Sequence, residues 1–451
     1  MSARTARFLA LAVLLGVACS DEHSERPALT APVFAKVTTS PTVTSTSPSY
    51  AYQGSVNLNV TINGSGFDRG TTASWHLNGM PYAKITVNST SYVSSAQIIA
   101  NISVASDAQI DAYDVVVTTS TTKQGIGSDC FVVTLAVPVP VVGRGINGAG
   151  QLVGELTNSK NATASLWDPV IGTVALPNAL KAFAIDENGG TIGGKDNGGA
   201  PAVWTSSAGA AGPWTETQLS LPSGITTGGA RSIASDASGN AQFIAGTYVS
   251  QTGGNGPVVW TRTPSGWRAS FDTLPSGVHS GWAQSVNAKG QSAGMDGSAG
   301  AFALYWDSLG TAAVLSSHAA TAWSINGDGT VVVGSANGVA TMWTRTLVNG
   351  VYGPWSGDIL LDTPTNSCSS PNSTAYAVNA AGTVAVGTSC NQPVAWNISP
   401  SGVTRFLLGT LGPPNNGIAF SINNLDQPNA GGGASQTSNG AFGTGVLWKS
   451  F

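Results

Sequence analysis

A repeated pattern constrains this chain more than any other feature. It reads small-x-small-Ile/Val-Asn-x-x-Gly, followed by an apolar run to a second Gly and, after a variable loop, an apolar segment that ends in Trp. The clearest copy runs from Ala322 to Gly334 and is closed by Trp343. Seven copies follow one another from Gly143 onward. Such internal repetition indicates that one supersecondary unit is used throughout this region.

Three positions align the copies. The Ile/Val slot is filled by Ile146, Ile185, Val286, Ile325, Val378 and Ile422, with Ser235 in the divergent third copy. The Asn or Asp that follows is Asn147, Asp186, Asp236, Asn287, Asn326, Asn379 and Asn423. The closing residues are Trp167, Trp204, Trp260, Trp306, Trp343, Trp396 and Trp448. Loops of variable length separate these anchors.

Each copy predicts four strands. The first strand ends at the Ile/Val slot, and Asn-x-x-Gly then forms a tight turn, because Asn and Gly tolerate positive φ. The second strand runs to the next Gly and the third ends at Trp. The fourth is an apolar segment such as residues 172–177 or 358–361. Four strands per unit are typical of a propeller blade, so we predict a seven-bladed β-propeller over residues 137–451.

Side-chain size in the first strand supports this architecture. Small residues precede the slot by one and by three positions, as Ser324 and Ala322 do, and these positions share one face of a strand. We expect this face to point toward the crowded propeller axis. The opposite face carries Phe183, Trp323, Tyr376 and Phe420. We expect these large side chains to fill the wedge between neighbouring blades.

The seventh copy lacks a fourth strand after Trp448. An unpaired sheet edge exposes backbone N–H and C=O groups and invites aggregation. The unassigned apolar segment nearest to the repeats is 137–142, just before the first copy. We predict that it supplies the outer strand of the seventh blade. Its prolines are acceptable there because an outermost strand pairs on one side only.

The repeat resembles the HAF family of extracellular repeats in its Ile-Asn-x-x-Gly, Val-Gly and Ala-x-x-Trp elements, over residues 141–451. The resemblance implies an extracellular location and names no activity.

Residues 39–136 predict a separate β-sandwich, because apolar and polar residues alternate from Val56 to Asn63. The segments Val60–Phe67, Tyr113–Val117 and Phe131–Val133 make this region similar to the IPT/TIG immunoglobulin-like family. The resemblance implies an extracellular spacer or interaction module. The predicted fold is therefore all-β, an Ig-like β-sandwich followed by a seven-bladed propeller.

The N-terminus predicts export. Arg4 and Arg7 precede an apolar run over 8–17 that is too short to span a bilayer permanently, so residues 1–18 read as a signal peptide. Residues 15–19 resemble a bacterial lipobox, which implies acylation of Cys19; ordinary cleavage after Ala18 is the alternative. Residues 19–38 form a polar tether. We expect an outer-membrane lipid-anchored or secreted protein that contacts the membrane only through this lipid.

Composition excludes several classes of function. Charged residues make up 9% of the chain and the net charge is −4, so there is no basic field for nucleic acid. The four histidines show no metal-ligand spacing. The chain carries no Gly-x-Ser-x-Gly elbow, phosphate loop or zinc-protease motif. We therefore predict no catalytic residue, no cofactor and no metal centre built on histidine.

Two clusters are candidates for ligand binding. The acidic residues Glu155, Asp196 and Asp296 all follow second strands and should share one rim, where Ca²⁺ or a polar substrate is the candidate ligand. Solvated loop carboxylates are the alternative. Three tryptophans fall in the hairpins between third and fourth strands, namely Trp214, Trp267 and Trp355. Stacking on sugar faces is one interpretation, and packing against their own blade is the other.

Export also favours a disulfide between Cys368 and Cys390, which the propeller places on the same rim. The predicted function is binding of an extracellular glycan or protein. An extracellular propeller hydrolase or lyase that acts on polysaccharide through the acidic rim is the alternative.

Overall fold

The computed structural model describes residues 40–156, 164–250, 254–297, 302–362, 372–412, 416–425, 430–436 and 442–449. The chain divides into two compact units, Met1–Val133 and Thr134–Phe451. Within the described ranges the structure is all-β apart from one short 3₁₀ helix, Gly209–Ala211. None of the helical structure in these ranges is long and apolar enough to cross a membrane. The predicted signal peptide, the tether and Cys19 lie outside the described residues.

The described residues of the first unit form nine strands in two antiparallel sheets. The strands are β1 Thr42–Ser47, β2 Tyr50–Tyr52, β3 Leu58–Ser65, β4 Thr72–Leu77, β5 Met80–Pro81, β6 Ile85–Ser94, β7 Gln97–Val104, β8 Asp111–Thr118 and β9 Gln124–Thr134. The sheet orders are β1-β3-β7-β6 and β2-β9-β8-β4-β5. Both sheets contribute to one apolar core, in which Ile62 and Ile98 meet Trp75 and Phe131.

The second unit begins with strand β10 Ala136–Val139. The first sheet contains β11 Val141–Ile146, β12 Leu152–Leu156, β13 Ala164–Asp168 and β14 Gly172–Ala175. The second contains β15 Ala179–Ile185, β16 Thr191–Asp196, β17 Pro201–Thr205 and β18 Thr215–Gln218. The third contains β19 Gly228–Ser235, β20 Ala241–Val249, β21 Asn255–Thr263 and β22 Gly266–Phe271.

Four further sheets follow. The fourth contains β23 Gly281–Val286, β24 Ser292–Asp296, β25 Ala303–Trp306 and β26 Ala312–Val314. The fifth contains β27 Ala320–Ile325, β28 Val331–Ala336, β29 Val339–Thr344 and β32 Ile359–Leu360, with a side hairpin of β30 Leu347–Val348 and β31 Val351–Tyr352. The sixth contains β33 Ser373–Val378, β34 Val384–Ser389, β35 Gln392–Ser399 and β36 Gly402–Leu407. The seventh contains β37 Gly417–Ile422, β38 Ala430–Gln436 and β39 Phe442–Trp448, completed by β10.

The first strands of successive sheets lie side by side around an axis. Each contacts the next from β11 to β37, and β37 contacts β11 again. This closed arrangement of four-stranded antiparallel sheets is a β-propeller, as the repeats predicted.

The ring is closed by a strand from the start of the unit. Strand β10 pairs antiparallel with β39, with Ala136 opposite Trp448 and Val139 opposite Gly445. The predicted closure is confirmed for this part of segment 137–142. Val141 and Val142 instead begin β11 and pair with β12. The predicted outer strand was therefore too long at its C-terminal end.

The closing tryptophans anchor the sheets. All except Trp167 are fully buried. In the second, third, fourth and seventh sheets the indole Nε1 donates a hydrogen bond to a backbone carbonyl of the connection that enters the sheet, with acceptors Pro177, Ser220, Thr273 and Gly409 at 2.6–2.8 Å. A buried indole needs an acceptor, and in these four sheets the repeated Trp fixes the entering connection against its own sheet.

In the Asn-x-x-Gly turns the Gly and the Asn have different structural roles. The Gly adopts positive φ, for example 67° at Gly189. The Asn positions are not among the described residues with positive φ, so the expectation that Asn adopts it is wrong. The Asn instead contributes hydrogen bonds: Oδ1 of Asn326 accepts the N–H groups of Thr330 and Val331 at 2.8 and 2.9 Å.

The same Asn side chains also join neighbouring sheets. Their Nδ2 groups donate to the carbonyl at the corresponding position of the next sheet, from Asn147 to Asp186 and from Asn287 to Asn326, both at 3.2 Å. At Asp186, which has no Nδ2, a carboxylate oxygen accepts the N–H of Ala241 in the third sheet at 3.3 Å. The position therefore links the first sheet to the second, the second to the third and the fourth to the fifth. In the fifth and sixth sheets the Asn Nδ2 groups instead donate to Thr330 and Thr383 of their own turns.

Candidate functional site

The first strand of every sheet contains a β-bulge at the same place. Between the two small positions of the repeat, one residue has no partner on the second strand, as Trp323 has none between Ala322 and Ser324. The seven bulge residues are Arg144, Phe183, Arg231, Gln284, Trp323, Tyr376 and Phe420. A bulge re-aims a side chain that strict alternation would send to the opposite face.

These bulge residues form a ring around the axis. All seven line one cavity of about 390 Å³, together with the Ile/Val slots and the Asn-x-x-Gly turns of several sheets. The expectation that Phe183, Trp323, Tyr376 and Phe420 fill the wedge between blades is therefore wrong. The first small position of the repeat is buried between sheets instead; a Cβ on Gly143 would meet backbone atoms of Gly431 and Gly432.

The bulge register also corrects the third copy of the repeat. Ile233 pairs with Ile244, which in turn pairs with Trp260, just as Ile185 of the second sheet is linked through Ile192 to Trp204. Ile233 therefore occupies the Ile/Val slot, and Ser235 does not. The sequence pattern hid this because two extra residues separate Ile233 from Asp236.

One side of the ring is aromatic. Trp323 and Tyr376 meet edge to face with ring centroids 5.1 Å apart, and Tyr376 lies 5.5 Å from Phe420. The Arg144 guanidinium continues this arc over the Phe420 ring at 4.2 Å. The arc gives the cavity a wall of ring faces and edges from the fifth sheet to the first.

Arg144 belongs to a cluster of two cations and one carboxylate. Its Nε lies 3.2 Å from Oε2 of Glu155, and Nζ of Lys181 lies 2.7 Å from Oε1 of the same carboxylate. Burial alone would raise the pKa of Glu155, but the charge of Arg144 and the hydrogen bond from Lys181 outweigh it and hold this pKa below its usual value. Arg144 thus faces the cavity with a carboxylate partner, which it shares with Lys181.

Arg231 has no such counter-ion. Among the hydrogen bonds and ion pairs of the described residues, none involves its guanidinium, and its Nε is buried without an acceptor. It lies near two aromatic rings, Phe183 at 5.4 Å and Trp282 at 5.7 Å. Burial, and after it the charge of Arg144, lowers the pKa of Arg231.

Gln284 is the next residue of the ring after Arg231. It is 8% exposed, and its Nε2 group is buried with no hydrogen-bond acceptor in the described part of the chain. Polar groups this deeply buried nearly always have a partner. Adjacent sheets therefore present two donors that lack acceptors.

The opposite end of the cavity is lined by turn residues, which include Glu187, Asp236 and Asn424. The Glu187 carboxylate accepts hydrogen bonds from the N–H of Gly148 at 2.8 Å and from Nδ2 of Asn424 at 2.9 Å. Asp236 accepts backbone N–H groups of its own turn. The cavity is thus acidic at the turns and cationic at the bulge ring.

The three predicted acidic residues lie at equivalent ends of second strands, in the first, second and fourth sheets. Each is buried: Glu155 is ion-paired with Arg144 of its own sheet and Lys181 of the next, Asp196 accepts Nε2 of Gln218 at 2.6 Å, and Asp296 is 3% exposed. They do not form one cluster, and the described residues hold no group of three or more acidic, His or Cys side chains placed for a metal ion. The structure gives no support to a Ca²⁺ site built from them.

The hairpin tryptophans are partly buried and pack in cores that neighbouring sheets share. Trp214 packs on the core between the first and second sheets, and Trp267 joins the core of the third. Trp355 lies 5.1 Å from the Tyr305 ring and 4.4 Å from the Arg345 guanidinium. This placement favours the packing interpretation over exposed platforms for sugar.

The predicted disulfide partner Cys368 and the lipidation residue Cys19 lie outside the described residues, so both assignments stay predictions. No cysteine within those residues is free. Cys390 is in the turn between β34 and β35, with φ of 51°.

One arrangement resembles a catalytic triad and differs from it in the direction of its hydrogen bonds. Nδ1 of His318 lies 2.9 Å from Oδ2 of Asp358, but the Ser316 hydroxyl donates to the same carboxylate oxygen at 3.1 Å rather than to the imidazole. A nucleophilic serine must hand its proton to histidine. The other oxygen of Asp358 accepts Nε1 of Trp343 at 2.8 Å, which makes this carboxylate an anchor of the fifth sheet.

The bulge ring was missed because its signal is positional. In the sequence the position between the two small residues is occupied by Arg, Phe, Gln, Trp or Tyr, with no common chemistry. Its four aromatic members are visible in the sequence, but period-two alternation places them on the face between the blades rather than on the face that lines the cavity. The two arginines, Arg144 and Arg231, occupy the same slot and would have been found by aligning it.

No family model and no curated protein matches the chain. Solved structures that are similar to it include the following three. A protein described as a 6-phosphogluconolactonase from Bacteroides uniformis is 13% identical, with a TM-score of 0.37, over 65% of this chain and 90% of that one. The β-propeller domain of Cps50 (Swd1) from Myceliophteria thermophila is 11% identical, with a TM-score of 0.31, over 74% and 90%. The Hadza microbial sialidase Hz136 is 13% identical, with a TM-score of 0.35, over 80% and 95%.

Proposed function

We propose that this chain is an exported bacterial binding protein whose axial cavity holds one unit of an extracellular glycan. In this proposal the seven sheets are the blades of a seven-bladed propeller of HAF-like repeats. The preceding unit is an IPT/TIG-type immunoglobulin-like spacer, and Cys19 carries the lipid that tethers the protein to the outer membrane. The protein is thus displayed outside the cell, where glycans are encountered.

The observation that carries the proposal is the composition of the cavity wall. A volume of about 390 Å³ is within the range of small-ligand sites. Its aromatic arc offers faces on which the C–H side of a sugar ring stacks. Donors at Arg231 and Gln284, and acceptors at Glu187 and Asp236, surround the remaining space. Aromatic faces combined with polar groups of both kinds suit a ring that carries hydroxyl groups.

The test is a glycan array probed with the purified full-length protein and with Trp323→Ala. We expect specific binding that falls roughly tenfold in the variant, because one aromatic contact contributes about 0.5–1.5 kcal/mol. Phe271→Ala is the matched control, since Phe271 is 43% exposed and does not line the cavity. A bound glycan that is insensitive to Trp323→Ala would place the site elsewhere.

The same glycans should be incubated with the protein and analysed for products by mass spectrometry. Unchanged glycan supports the binding role. Depolymerisation that is abolished by Glu187→Gln or Asp236→Asn would instead establish the hydrolase or lyase alternative.

A further inference from the structure

We infer that the unit held in the axial cavity is a carboxylate-bearing sugar of the uronic acid class, with its carboxylate on Arg231 and Gln284. This inference rests on the proposed glycan-binding function and narrows it to acidic glycans. The first observation behind it is that Arg231 of the bulge ring has no counter-ion among the described residues.

Arg231 and Arg144 occupy the same position of the repeat in different sheets, but only Arg144 has a carboxylate partner. Arg231 is partly buried, and burying its Nε without an acceptor or a counter-ion is unfavourable. The hydrogen bonds and ion pairs of the described residues include none at Arg231. An anionic ligand would supply the missing partner.

Gln284 gives a second and independent reason. Its side chain is more than nine-tenths buried, and its Nε2 donor has no acceptor within the described chain. The fourth sheet follows the third around the ring, so Gln284 presents N–H groups at the next position of the same cavity. A carboxylate accepts through both oxygens and pairs with the planar guanidinium in a bidentate manner.

The aromatic arc indicates which kind of ligand carries the carboxylate. Trp323, Tyr376 and Phe420 line the side of the ring that runs from the fifth sheet to the seventh, while Arg231 and Gln284 belong to the third and fourth. A small inorganic anion would use the donors and leave the aromatic wall empty. A uronate presents an apolar C–H face and a carboxylate on one rigid ring, so it uses both.

The acidic groups at the turn end agree with this orientation. Glu187 and Asp236 would repel a carboxylate placed near the turns, which directs it toward the bulge ring. Their oxygens remain acceptors for sugar hydroxyls. Glu155 does not compete for Arg231, because it is already held by Arg144 and Lys181.

The experiment is isothermal titration of the full-length protein with galacturonic acid and glucuronic acid oligosaccharides, with the corresponding neutral oligosaccharides, and with a sugar phosphate. We expect the uronates to bind most tightly. Arg231→Gln should weaken uronate binding by about 10- to 100-fold, the effect of losing a hydrogen bond to a charged group, and should leave any neutral-sugar binding unchanged. Arg262→Gln is the matched control, because Arg262 is exposed and stacks on Trp267 outside the cavity.

Equal affinity for neutral and acidic sugars, or preference for the sugar phosphate, would overturn this inference while leaving glycan binding intact. Failure of every sugar to bind would overturn the proposed function itself.

The melting temperature of the unliganded protein gives a second readout. Arg231→Gln removes an unpaired cation, so we expect its melting temperature to equal or exceed that of the parent protein. A clear fall would show that Arg231 serves the fold, and the inference would then be wrong.

Discussion

Nδ2 of Asn423 donates a hydrogen bond to the carbonyl oxygen of Asn147 at 3.4 Å, across 276 residues of sequence. It joins the turn after the first strand of the seventh sheet to the corresponding turn of the first sheet. The same link connects Asn147 to Asp186 and Asn287 to Asn326. The repeated Asn therefore continues its linkage through the point where the ring closes, beside the backbone pairing of β10 with β39.

Replacing Asn147 by Ala should destabilise the protein by about 1–3 kcal/mol, because buried partners lose their hydrogen bonds. Asn147 is 1% exposed, bonds to both the N–H and the side chain of Gln151, and donates to Asp186. Chemical denaturation measures the loss. Asn397→Ala is the control, since Asn397 is exposed on β35. Equal effects of the two substitutions would show that the Asn network contributes little.

Closure by β10 predicts different responses at two adjacent positions. Pro138 has no N–H and pairs opposite Val446, so the hydrogen-bonding N–H groups of β10 must belong to Val137 and Val139. Val137→Pro should remove a ladder bond and lower the melting temperature, at a cost of at least about 1–3 kcal/mol. Pro138→Ala should leave it nearly unchanged. The reverse order would contradict the register described for β10 and β39.

Asp272 should make stability fall as the pH rises. Burial raises its pKa to about 7, against the hydrogen bond from Ser292 and together with the charge of Asp307. The folded state binds this proton more tightly than the unfolded state, so stability is highest below the unfolded pKa of about 4 and is lost up to about pH 7.

Asp272→Asn stays neutral and lacks this dependence. Its stability relative to the parent protein should increase by roughly 2–4 kcal/mol between pH 4 and pH 8. Urea unfolding at several pH values measures this difference. A constant difference over that interval would mean that Asp272 titrates normally.

Trp355 should affect stability rather than binding. It packs against Tyr305 and Arg345, and its Nε1 is buried without an acceptor in the described part of the protein. Trp355→Ala should cost about 2–4 kcal/mol through lost packing, and Trp355→Phe much less. Neither substitution should change glycan affinity. If Trp355→Phe lost glycan affinity while its stability stayed unchanged, Trp355 would bind carbohydrate as the sequence suggested.

The anchors of the fold were predictable because they have a fixed chemistry. The closing Trp and the Gly at positive φ each satisfy one local requirement, and the four-stranded unit and its outer closing strand follow from their spacing. Ile233 was misassigned because an insertion moved it away from Asp236, and only the pairing with Ile244 places it.

The candidate site was less predictable for a related reason. Arg144 and Arg231 face the cavity because the first strand bulges where it pairs with the second. Such a register shift depends on how two strands pair, so the sequence of one strand does not reveal it. Glu155, Asp196 and Asp296 lie near the C-terminal ends of their second strands, but their burial depends on partners from other strands, such as Lys181 and Gln218.

The bulge has a consequence for how such a protein diversifies. Because the unpaired residue contributes nothing to the strand ladder, the backbone accepts Arg, Phe, Gln, Trp or Tyr there without a change of register. Seven positions can therefore vary independently of the framework that holds them. A new ligand preference can arise by substituting one bulge residue at a time, while the repeated Trp, Asn and Gly keep the propeller framework unchanged.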